Sequence, residues 1–417
     1  MKPLKNIGVI SLGCPRNLVD SEHILGRLDH KGYRIVDMQD ADIAIVNTCG
    51  FIEDAKKESL DVILDVIELK KTGRLKKIVV YGCLAERYSA ILQKEFPEVD
   101  AFIGKVSLNH AQHSFSLTPS HYAYLKICEG CINACSFCII PKIKGAFTSV
   151  PKESLKNRVA ALDEKGIREL ILIGQDISGY GVDLYKHYAL SKLLKLLLKS
   201  APHIDWFRLL YLYPDRIDQE LVSLIAGEPR ICKYIDLPLQ HCNDRILTMM
   251  RRGMKNKQIR ARIASIRKKI PGVCLRTSLI VGFPSETDKE FKELLAFIKE
   301  MRFERLGVFM YSQEEGTEAY HFKQQVPQAV KQARFDEIMS LQQTIARSIN
   351  ERFQGTILDV IIDEKEQDSY FGRTQFDAPE VDGIVHVRSS RSLKPGDLIK
   401  VRVTDTLEYD LVGEEVA

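Results

Sequence analysis

The chain has 417 residues, which is too long for one ordinary domain, and 45% hydrophobic and 28% charged residues make its composition that of a globular protein. No run of apolar residues approaches the roughly 18 that a membrane-spanning helix needs, and we expect no signal peptide and a cytoplasmic location. Ten cysteines are then expected to be reduced thiols that bind metal, because disulfides are rare in that compartment.

Residues 1–100 alternate short apolar runs with amphipathic stretches, which predicts an open parallel α/β sheet. Three predicted strands, at 7–12, 41–47 and 77–81, each end within two residues of a cysteine: Cys14, Cys49 and Cys83. The carboxyl ends of parallel strands meet at one edge of a sheet, where ligands gather. The pattern favours one site with three thiolates, and the alternative is three small buried side chains without a ligand role.

A second set of cysteines lies in the segment ICEGCINACSFC, where Cys131, Cys135 and Cys138 have C-x3-C-x2-C spacing. Three thiolates can hold three irons of a [4Fe–4S] cube and leave the fourth iron open for chemistry. Cys128 keeps another interpretation open, because with it the segment contains two C-x2-C pairs, as in structural zinc sites. The spacing alone favours the iron–sulfur cluster over zinc.

Six further strands separated by helical periods predict a partial (β/α)6 barrel, at 123–127, 169–176, 206–214, 234–241, 274–284 and 305–312. Functional groups of such barrels lie at the carboxyl ends of the strands. Polar residues or glycine stand there at Gln175, Asp176 and Gly282, and Glu286 follows in the next turn. The cysteine loop follows the first of these strands, so we expect it on the same face.

The last part of the chain reads as a long helix over 327–354 followed by five short strands, at 356–363, 369–375, 382–388, 397–405 and 408–412. Five strands of this size predict a small OB-like β-barrel. We therefore predict an N-terminal domain at 1–105, a linker at 106–120, a central domain at 121–350 and a C-terminal barrel domain at 351–417.

Taken together, these segments resemble the methylthiotransferases of the radical S-adenosylmethionine superfamily over essentially the whole chain. The resemblance is carried by SLGCPRNLVDSE, NTCGFIEDAKKES, YGCLAERY, EGCINACSFCIIP, LIGQDISGYG, LLYLYPDRI, YIDLPLQH, RTSLIVGFPSET, VFMYSQEEGTEAY and DAPEVDG. The chain is most similar to the RimO family, which acts on ribosomal protein uS12. It departs from the usual pattern at Cys128, Asn133, Ala134 and Lys144, none of which is a ligand position.

The resemblance implies two [4Fe–4S] clusters and S-adenosylmethionine. Cys14, Cys49 and Cys83 would hold an auxiliary cluster that carries the inserted sulfur, and Cys131, Cys135 and Cys138 would hold the cluster that generates the radical. A second S-adenosylmethionine would supply the methyl group. Contacts to S-adenosylmethionine are expected from Gln175, Asp176, Gly282 and Glu286, with no catalytic residue beyond the clusters. A TRAM domain is implied at the carboxyl end.

RimO-like enzymes modify the β-carbon of an aspartate in uS12, whereas their nearest relatives modify adenosine in tRNA. Residues 356–417 carry a net charge of −7, while residues 1–355 carry +11. A negative domain repels nucleic acid and attracts a strongly basic ribosomal protein. We therefore expect uS12 as the substrate, with flavodoxin or ferredoxin as electron donor and no membrane partner. A tRNA methylthiotransferase and a nonenzymatic zinc-binding adaptor are the alternatives.

Overall fold

The computed structural model describes residues 5–104, 115–367 and 369–416. Across these ranges the strands form a five-stranded sheet, two three-stranded sheets, a two-stranded pair and a closed five-stranded barrel. The predicted α/β class, with its N-terminal parallel sheet, partial barrel and C-terminal β-barrel, is confirmed. Most of the predicted linker at 106–120 lies outside the described residues, and the domain boundaries stay a prediction. None of the described helices is long and apolar enough to cross a membrane.

The N-terminal sheet has the order β2-β1-β3-β4-β5, and all its pairings are parallel. Its elements are β1 (Asn6–Ser11), α1 (Pro15–His30), β2 (Arg34–Ile35), β3 (Ile43–Thr48), α2 (Glu53–Lys71), β4 (Lys77–Gly82), α3 (Cys83–Glu95) and β5 (Ala101–Ile103). The three predicted strands match β1, β3 and β4 to within two residues. Their Ile- and Val-rich runs favour extended backbone, and helices α2 and α3 pack on the sheet.

The central region contains six long parallel strands and two short ones. Its elements are β6 (Tyr122–Lys126), β7 (Cys128–Glu129), α4 (Ile140–Lys144), β8 (Thr148–Ser149), α5 (Lys152–Glu164), β9 (Glu169–Ile173), α6 (Val182–Tyr185), α7 (Leu190–Ser200), β10 (Trp206–Leu209), α8 (Gln219–Gly227), β11 (Tyr234–Gln240), α9 (Asp244–Met249), α10 (Asn256–Lys269), β12 (Cys274–Val281), α11 (Asp288–Met301), β13 (Arg305–Met310) and α12 (Gln328–Asn350). Several predicted strands run past the observed ends, because the residues that follow leave the sheet and form the loops of the site.

The six long strands form the sheets β10-β9-β6 and β11-β12-β13, which meet edge to edge. A bridge between Phe207 and Ile231 joins them, and Leu212 N donates a hydrogen bond of 3.1 Å to Asp236 O. The strands therefore follow one another in chain order as a curved parallel sheet. Six strands do not close a barrel, so its interior needs cover from other parts of the chain.

The other two units supply that cover. Tyr124 and Tyr234 point into one apolar cluster from the barrel strands, Val19 joins it from α1, and Ile361 and Ala378 join it from the C-terminal unit. Burying this apolar surface stabilises the docking of all three units by roughly 25 cal/mol per Å². The N-terminal sheet is thus fixed against the barrel along α1.

The C-terminal unit is a closed barrel with the order β14-β15-β16-β18-β17. Its strands are β14 (Ile357–Glu366), β15 (Ser369–Thr374), β16 (Val385–Arg388), β17 (Leu398–Thr406) and β18 (Leu411–Glu415). Glu169, at the start of β9, pairs with Arg208 at 2.6 Å and with Arg373 of β15 at 2.7 Å, and all three are buried. Buried charges persist when they are paired in this way, so the C-terminal barrel docks firmly on the central region.

Candidate active site at two cysteine trios

The structure brings Cys14, Cys49 and Cys83 together at one edge of the N-terminal sheet. They follow β1, β3 and β4, which are neighbours in the sheet, and neighbouring strands lie about 4.8 Å apart. A Cβ placed on Gly13 would lie 2.8 Å from Cys49 Cβ and 3.2 Å from its Sγ. The predicted convergence of these cysteines, which we call the auxiliary trio, is therefore observed.

Asn17, which is 2% exposed, holds the strand ends that carry this trio. Its Nδ2 donates to Leu12 O at 3.0 Å and to Thr48 O at 3.3 Å, so it ties the end of β1 to the end of β3. The Cys83 thiol lies 3.8 Å from Asn17 Oδ1. One amide side chain thus touches the surroundings of all three cysteines.

The barrel trio, Cys131, Cys135 and Cys138, lies on the loop between β7 and α4. Asn133 donates to Cys131 Sγ from its backbone N at 3.4 Å and from Nδ2 at 3.3 Å. Arg252 Nη1 lies 3.6 Å from Cys135 Sγ. Donors beside a sulfur stabilise its thiolate, which is the form that binds metal.

Cys128 does not share the position of the barrel trio. It is fully buried, and its thiol donates to Asp176 O at 3.6 Å. A Cβ placed on Gly174 would lie 2.4 Å from Cys128 Sγ, so this side chain fills the wall of the barrel. The packing explains why the chain accommodates a fourth thiol beside the loop.

No group of three or more His, Cys, Asp or Glu among the described residues is arranged to hold a single metal ion. In a [4Fe–4S] cube each thiolate bonds a different iron, so its sulfurs need not converge on one point. Each trio offers three thiols, and hydrogen-bond donors lie beside Cys14, Cys131 and Cys135. This set of ligands fits such cubes.

The thiols differ in how readily they ionise. Burial raises the pKa of Cys83 to about 11 and that of Cys138 to about 12, and neighbouring thiolates add to both shifts while the charge of Arg16 opposes the shift at Cys138. At Cys14 burial also acts to raise the pKa, but the charge and hydrogen bond of Arg16 outweigh it and lower the pKa. Cys14 is therefore the thiolate of its trio that Arg16 stabilises directly.

Arg16 connects the auxiliary trio to the barrel across the domain boundary. Its Nε donates to Cys14 Sγ at 3.2 Å, and its Nη1 donates to Gly174 O, just past the end of β9, at 3.4 Å. The guanidinium lies 4.6 Å from the centre of the Tyr211 ring. On the other side Cys83 packs with Ile139 and Ile143, which follow the cysteine loop. The two trios thus face one another between the N-terminal sheet and the barrel.

Gln175, expected near S-adenosylmethionine, belongs to a charged group at the same boundary. Its Nε2 donates to Glu129 Oε1 at 2.8 Å. Glu129 and Asp20 of α1 form ion pairs with Lys126 and Lys144, and the Lys144 pairs measure 3.1 Å to Asp20 and 3.5 Å to Glu129. Two positive and two negative charges balance there, which lets the group sit largely out of water.

Asp176 lies directly beside the barrel trio. Its carboxylate accepts hydrogen bonds from Asn133 Nδ2 at 2.8 Å and from Ser178 N at 3.1 Å, and it pairs with Arg216. Arg216 Nη2 also donates to Asn133 Oδ1 at 2.5 Å. Asp176 therefore anchors the cysteine loop through Asn133, and its predicted contact to S-adenosylmethionine stays a prediction.

Gly282 and Glu286 lie at the other end of the barrel mouth, against α12. Gly282 has a φ of +69°, and a Cβ there would lie 2.3 Å from Lys331 Cγ. Glu286 accepts from Arg334 at 3.0 Å, and burial raises its pKa to about 7 although Arg334 opposes the shift. Both residues have partners within the fold, and their contact to S-adenosylmethionine also remains a prediction.

Sequence reasoning missed Asn17, Arg16, Arg216 and Arg252 as parts of the site. Arg16 and Asn17 had a signal, because a cation and an amide within three residues of Cys14 are placed to donate to its sulfur or to the strand end. Arg216 and Arg252 lie more than 75 residues beyond the cysteine loop in sequence. Only the fold brings them to the loop.

Family models match three parts of the chain. Residues 6–104 match the description Uncharacterized protein family UPF0004, residues 125–298 match the Radical SAM superfamily, and residues 355–416 match the TRAM domain. Among solved structures, the radical S-adenosylmethionine methyltransferase TsrM from Kitasatospora setae has a TM-score of 0.53 at 11% identity, covering 85% of this chain and 80% of that chain. OxsB, a cobalamin-dependent S-adenosylmethionine radical enzyme, gives 0.52 at 12% identity, covering 82% and 58%. At this identity the likeness shows a shared fold.

The fold and the cysteine loop define a radical S-adenosylmethionine protein with a C-terminal TRAM domain. The ribosomal protein uS12 methylthiotransferase RimO of Thermoanaerobacter sp. (strain X514) is 46% identical to the chain, over 99% of this chain and 100% of that protein. The RimO of Aquifex aeolicus is also 46% identical, over 98% and 97%. The chain belongs to the RimO family of methylthiotransferases, and the predicted family is confirmed.

Proposed function

We propose that this enzyme attaches a methylthio group to the β-carbon of an aspartate in ribosomal protein uS12. The observation that carries the proposal is the pair of cysteine trios that face one another across one domain boundary, with Arg16 in contact with both sides. A reaction that joins a radical step to a sulfur-insertion step needs both centres within reach of one substrate atom. The names of the most similar relatives supply the substrate.

In this proposal Cys131, Cys135 and Cys138 hold the radical-generating cluster, and Cys14, Cys49 and Cys83 hold the auxiliary cluster. When bound, the first cluster supplies reductive cleavage of S-adenosylmethionine at its open iron, and the second supplies the sulfur. A low-potential donor such as flavodoxin or ferredoxin would deliver the electron.

The chain's own residues position and shield this site. Asn133, Asp176 and Arg216 form one connected group that fixes the cysteine loop. Gln175 and Asp176 are the proposed contacts near the amino group of S-adenosylmethionine, with Gly282 and Glu286 nearer its adenine end. The apolar cluster inside the barrel, completed by α1 and the C-terminal unit, excludes water beneath the site.

The charge distribution supports a protein substrate over tRNA. Residues 356–417 carry −7, which attracts a strongly basic ribosomal protein and weakens contacts to phosphates. Relatives of nearly full coverage are uS12 methylthiotransferases, so the tRNA alternative is not favoured. We place the reaction in the cytoplasm, where a ribosomal protein would be met.

The division of labour between the trios can be tested with two matched variants and a control. Cys135→Ala should abolish reductive cleavage of S-adenosylmethionine, whereas Cys49→Ala should retain cleavage and lose methylthio product on a uS12 peptide, followed by mass spectrometry. Cys232→Ala, at a buried cysteine outside both trios, should retain both activities. Retained cleavage in Cys135→Ala, or retained product in Cys49→Ala, would refute the assignment.

A further inference from the structure

Arg16 is a cation at the centre of the proposed site, and within the described residues it forms no ion pair with an Asp or Glu, although Glu129 acts on it from a greater distance. Its neighbours Lys126 and Lys144 are paired with Asp20 and Glu129, and Arg216 is paired with Asp176. Arg16 instead contacts a sulfur, a backbone carbonyl and an aromatic ring. Its charge acts on the Cys14 sulfur and on the more distant Glu129, but no carboxylate holds it in an ion pair, so it can still attract one.

Arg16 also has hydrogen-bond donors to spare. A guanidinium carries five N–H groups, and the contacts to Cys14 Sγ and Gly174 O use one on Nε and one on Nη1. Across the described part of the chain Nη2 has no acceptor, and neither does the hydroxyl of Tyr211. The pair therefore offers donors that no group of the described chain satisfies.

Tyr211, which packs against Arg16, is held in an unusual backbone conformation. Its φ is +65°, in the left-handed region that side chains other than glycine rarely adopt. The conformation is fixed from both sides, because Tyr211 N donates to Asp236 Oδ2 at 2.9 Å and Tyr211 O accepts from Ile177 N at 3.1 Å. Strain of this kind concentrates at functional sites. The backbone of Tyr211 is thus held by the barrel, and its ring packs against the Arg16 guanidinium.

We infer that Arg16, positioned by Tyr211, binds the side-chain carboxylate of the substrate aspartate. An arginine matches a carboxylate with two parallel hydrogen bonds. The β-carbon of aspartate is bonded directly to the carboxylate carbon, so a residue that grips the carboxylate places the reacting carbon one bond away, between the two trios. The inference rests on the proposed function and adds the residue that distinguishes aspartate from other side chains.

The test measures how well the reconstituted holoenzyme distinguishes a uS12 peptide with aspartate at the modified position from the same peptide with asparagine. Binding followed by fluorescence anisotropy should favour the aspartate peptide by about 10- to 100-fold in the unaltered enzyme, as expected for hydrogen bonds to a charged group. Arg16→Gln should reduce the ratio of the two affinities to about one. Arg16→Lys should leave an intermediate ratio, because lysine keeps the positive charge but lacks the two parallel N–H donors of the guanidinium.

Arg252→Gln is the matched comparison, because Arg252 also lies beside a trio sulfur but contacts Cys135 and the Pro238 carbonyl on the barrel side. It should keep the aspartate preference. If Arg16→Gln weakens both peptides equally, or keeps the preference, the carboxylate site is refuted and Arg16 only supports the protein around Cys14. Iron and sulfide content, measured in every variant, shows whether the clusters are retained.

Turnover separates this inference from the proposed function. If the unaltered enzyme yields methylthio product and Arg16→Gln keeps the aspartate preference, only the carboxylate site falls. If the unaltered enzyme yields no product on the aspartate peptide, the proposed function falls, and the carboxylate site with it.

Discussion

The two cysteine trios reach similar chemistry by different structural routes. The auxiliary trio comes from three distant positions, and it exists only when β1, β3 and β4 are paired side by side. The barrel trio lies within eight residues of one loop, so its approximate spacing is set locally. The auxiliary site is therefore a property of a whole sheet, whereas the barrel site is a property of a loop that the rest of the barrel orients.

The asparagine beside each trio shows the same difference. Asn17 donates to backbone carbonyls at two strand ends, and so holds the sheet edge in place. Asn133 donates to a cysteine sulfur and to the Asp176 side chain, and so holds the loop in place. We therefore expect backbone geometry to determine the positions of the cysteines in the auxiliary trio, and side-chain contacts to determine those in the barrel trio. Changes to each kind of support test this contrast.

The largest expected effect comes from Gly82→Ala, at the end of β4. Gly82 has a φ of +106°, and an added Cβ would lie 2.5 Å from Asn47 Oδ1 and 2.7 Å from Thr48 O. The strand end must then move away from β3, and Cys83 moves with it. We expect iron to fall from about eight to about four atoms per chain, with loss of methylthio product and retained cleavage of S-adenosylmethionine.

Gly73→Ala is the matched control, because Gly73 also has a positive φ, of +78°, but no atom lies within 4 Å of the added Cβ. That variant should lose only about 1 kcal/mol of stability, from backbone strain, and keep both clusters. Full iron content in Gly82→Ala would show that the auxiliary trio does not depend on the geometry of the sheet edge.

A smaller effect is expected where the loop after β13 braces the auxiliary site. Arg87 donates to Gly50 O at 2.6 Å, next to Cys49, and pairs with Glu314 at 2.7 Å, with side chains 7% and 3% exposed. Arg87→Met should reduce the free energy of unfolding by about 3 kcal/mol, because a buried charge loses its partner while Lys56 still neutralises part of it.

Urea unfolding of the metal-free proteins measures this difference. Lys195→Met removes an exposed pair with Glu220, so it should change stability by less than about 1 kcal/mol. Arg87→Met should also release auxiliary iron sooner than barrel iron on dilution into chelator. Equal release from both sites would contradict the link between this ion pair and Cys49.

The contrast between the trios also explains how far the sequence could predict the molecule. Strand positions and cysteines at strand ends were predictable, because apolar periodicity and the edge rule for parallel sheets are local and general. The strands β2 and β5 were not, since two or three residues carry no periodicity. The filling of the open barrel by α1 and the C-terminal unit depends on docking between separate parts of the chain.

The site follows the same division. The auxiliary trio could be predicted from strand ends and the barrel trio from cysteine spacing, but the contact between Arg16 and Tyr211 joins residues 195 positions apart and appears only after docking. Gln175 lies two residues beyond the end of β9, in the loop that the strand-end rule indicates, yet its hydrogen bond to Glu129 depends on a charge group built from four elements. Positions of functional residues follow from local pattern, whereas their partners follow from tertiary packing.

The smallest of the expected effects concerns acid, and it acts on the helix that begins beside Cys14. His23 of α1 is buried and accepts a hydrogen bond of 2.5 Å from Arg158 of α5. Burial, together with the charge of Arg158, lowers the pKa of His23 from 6.5 to about 2. The unfolded chain therefore binds a proton below pH 6.5 that the folded chain does not.

Stability contributed by neutral His23 is complete above pH 6.5 and is lost as the pH falls below it, by about 2 kcal/mol between pH 7 and pH 5. His23→Gln keeps an acceptor for Arg158 but does not titrate. Between pH 7 and pH 5 the unfolding free energy of this variant, measured in urea, should therefore fall by about 2 kcal/mol less than that of the unaltered protein. Because α1 begins directly after Cys14 and docks the N-terminal sheet on the barrel, acid should weaken the auxiliary site before the barrel site. If the unfolding free energies of both proteins change in parallel with pH, His23 is protonated in the folded chain. Acid would then not weaken the auxiliary site through this helix.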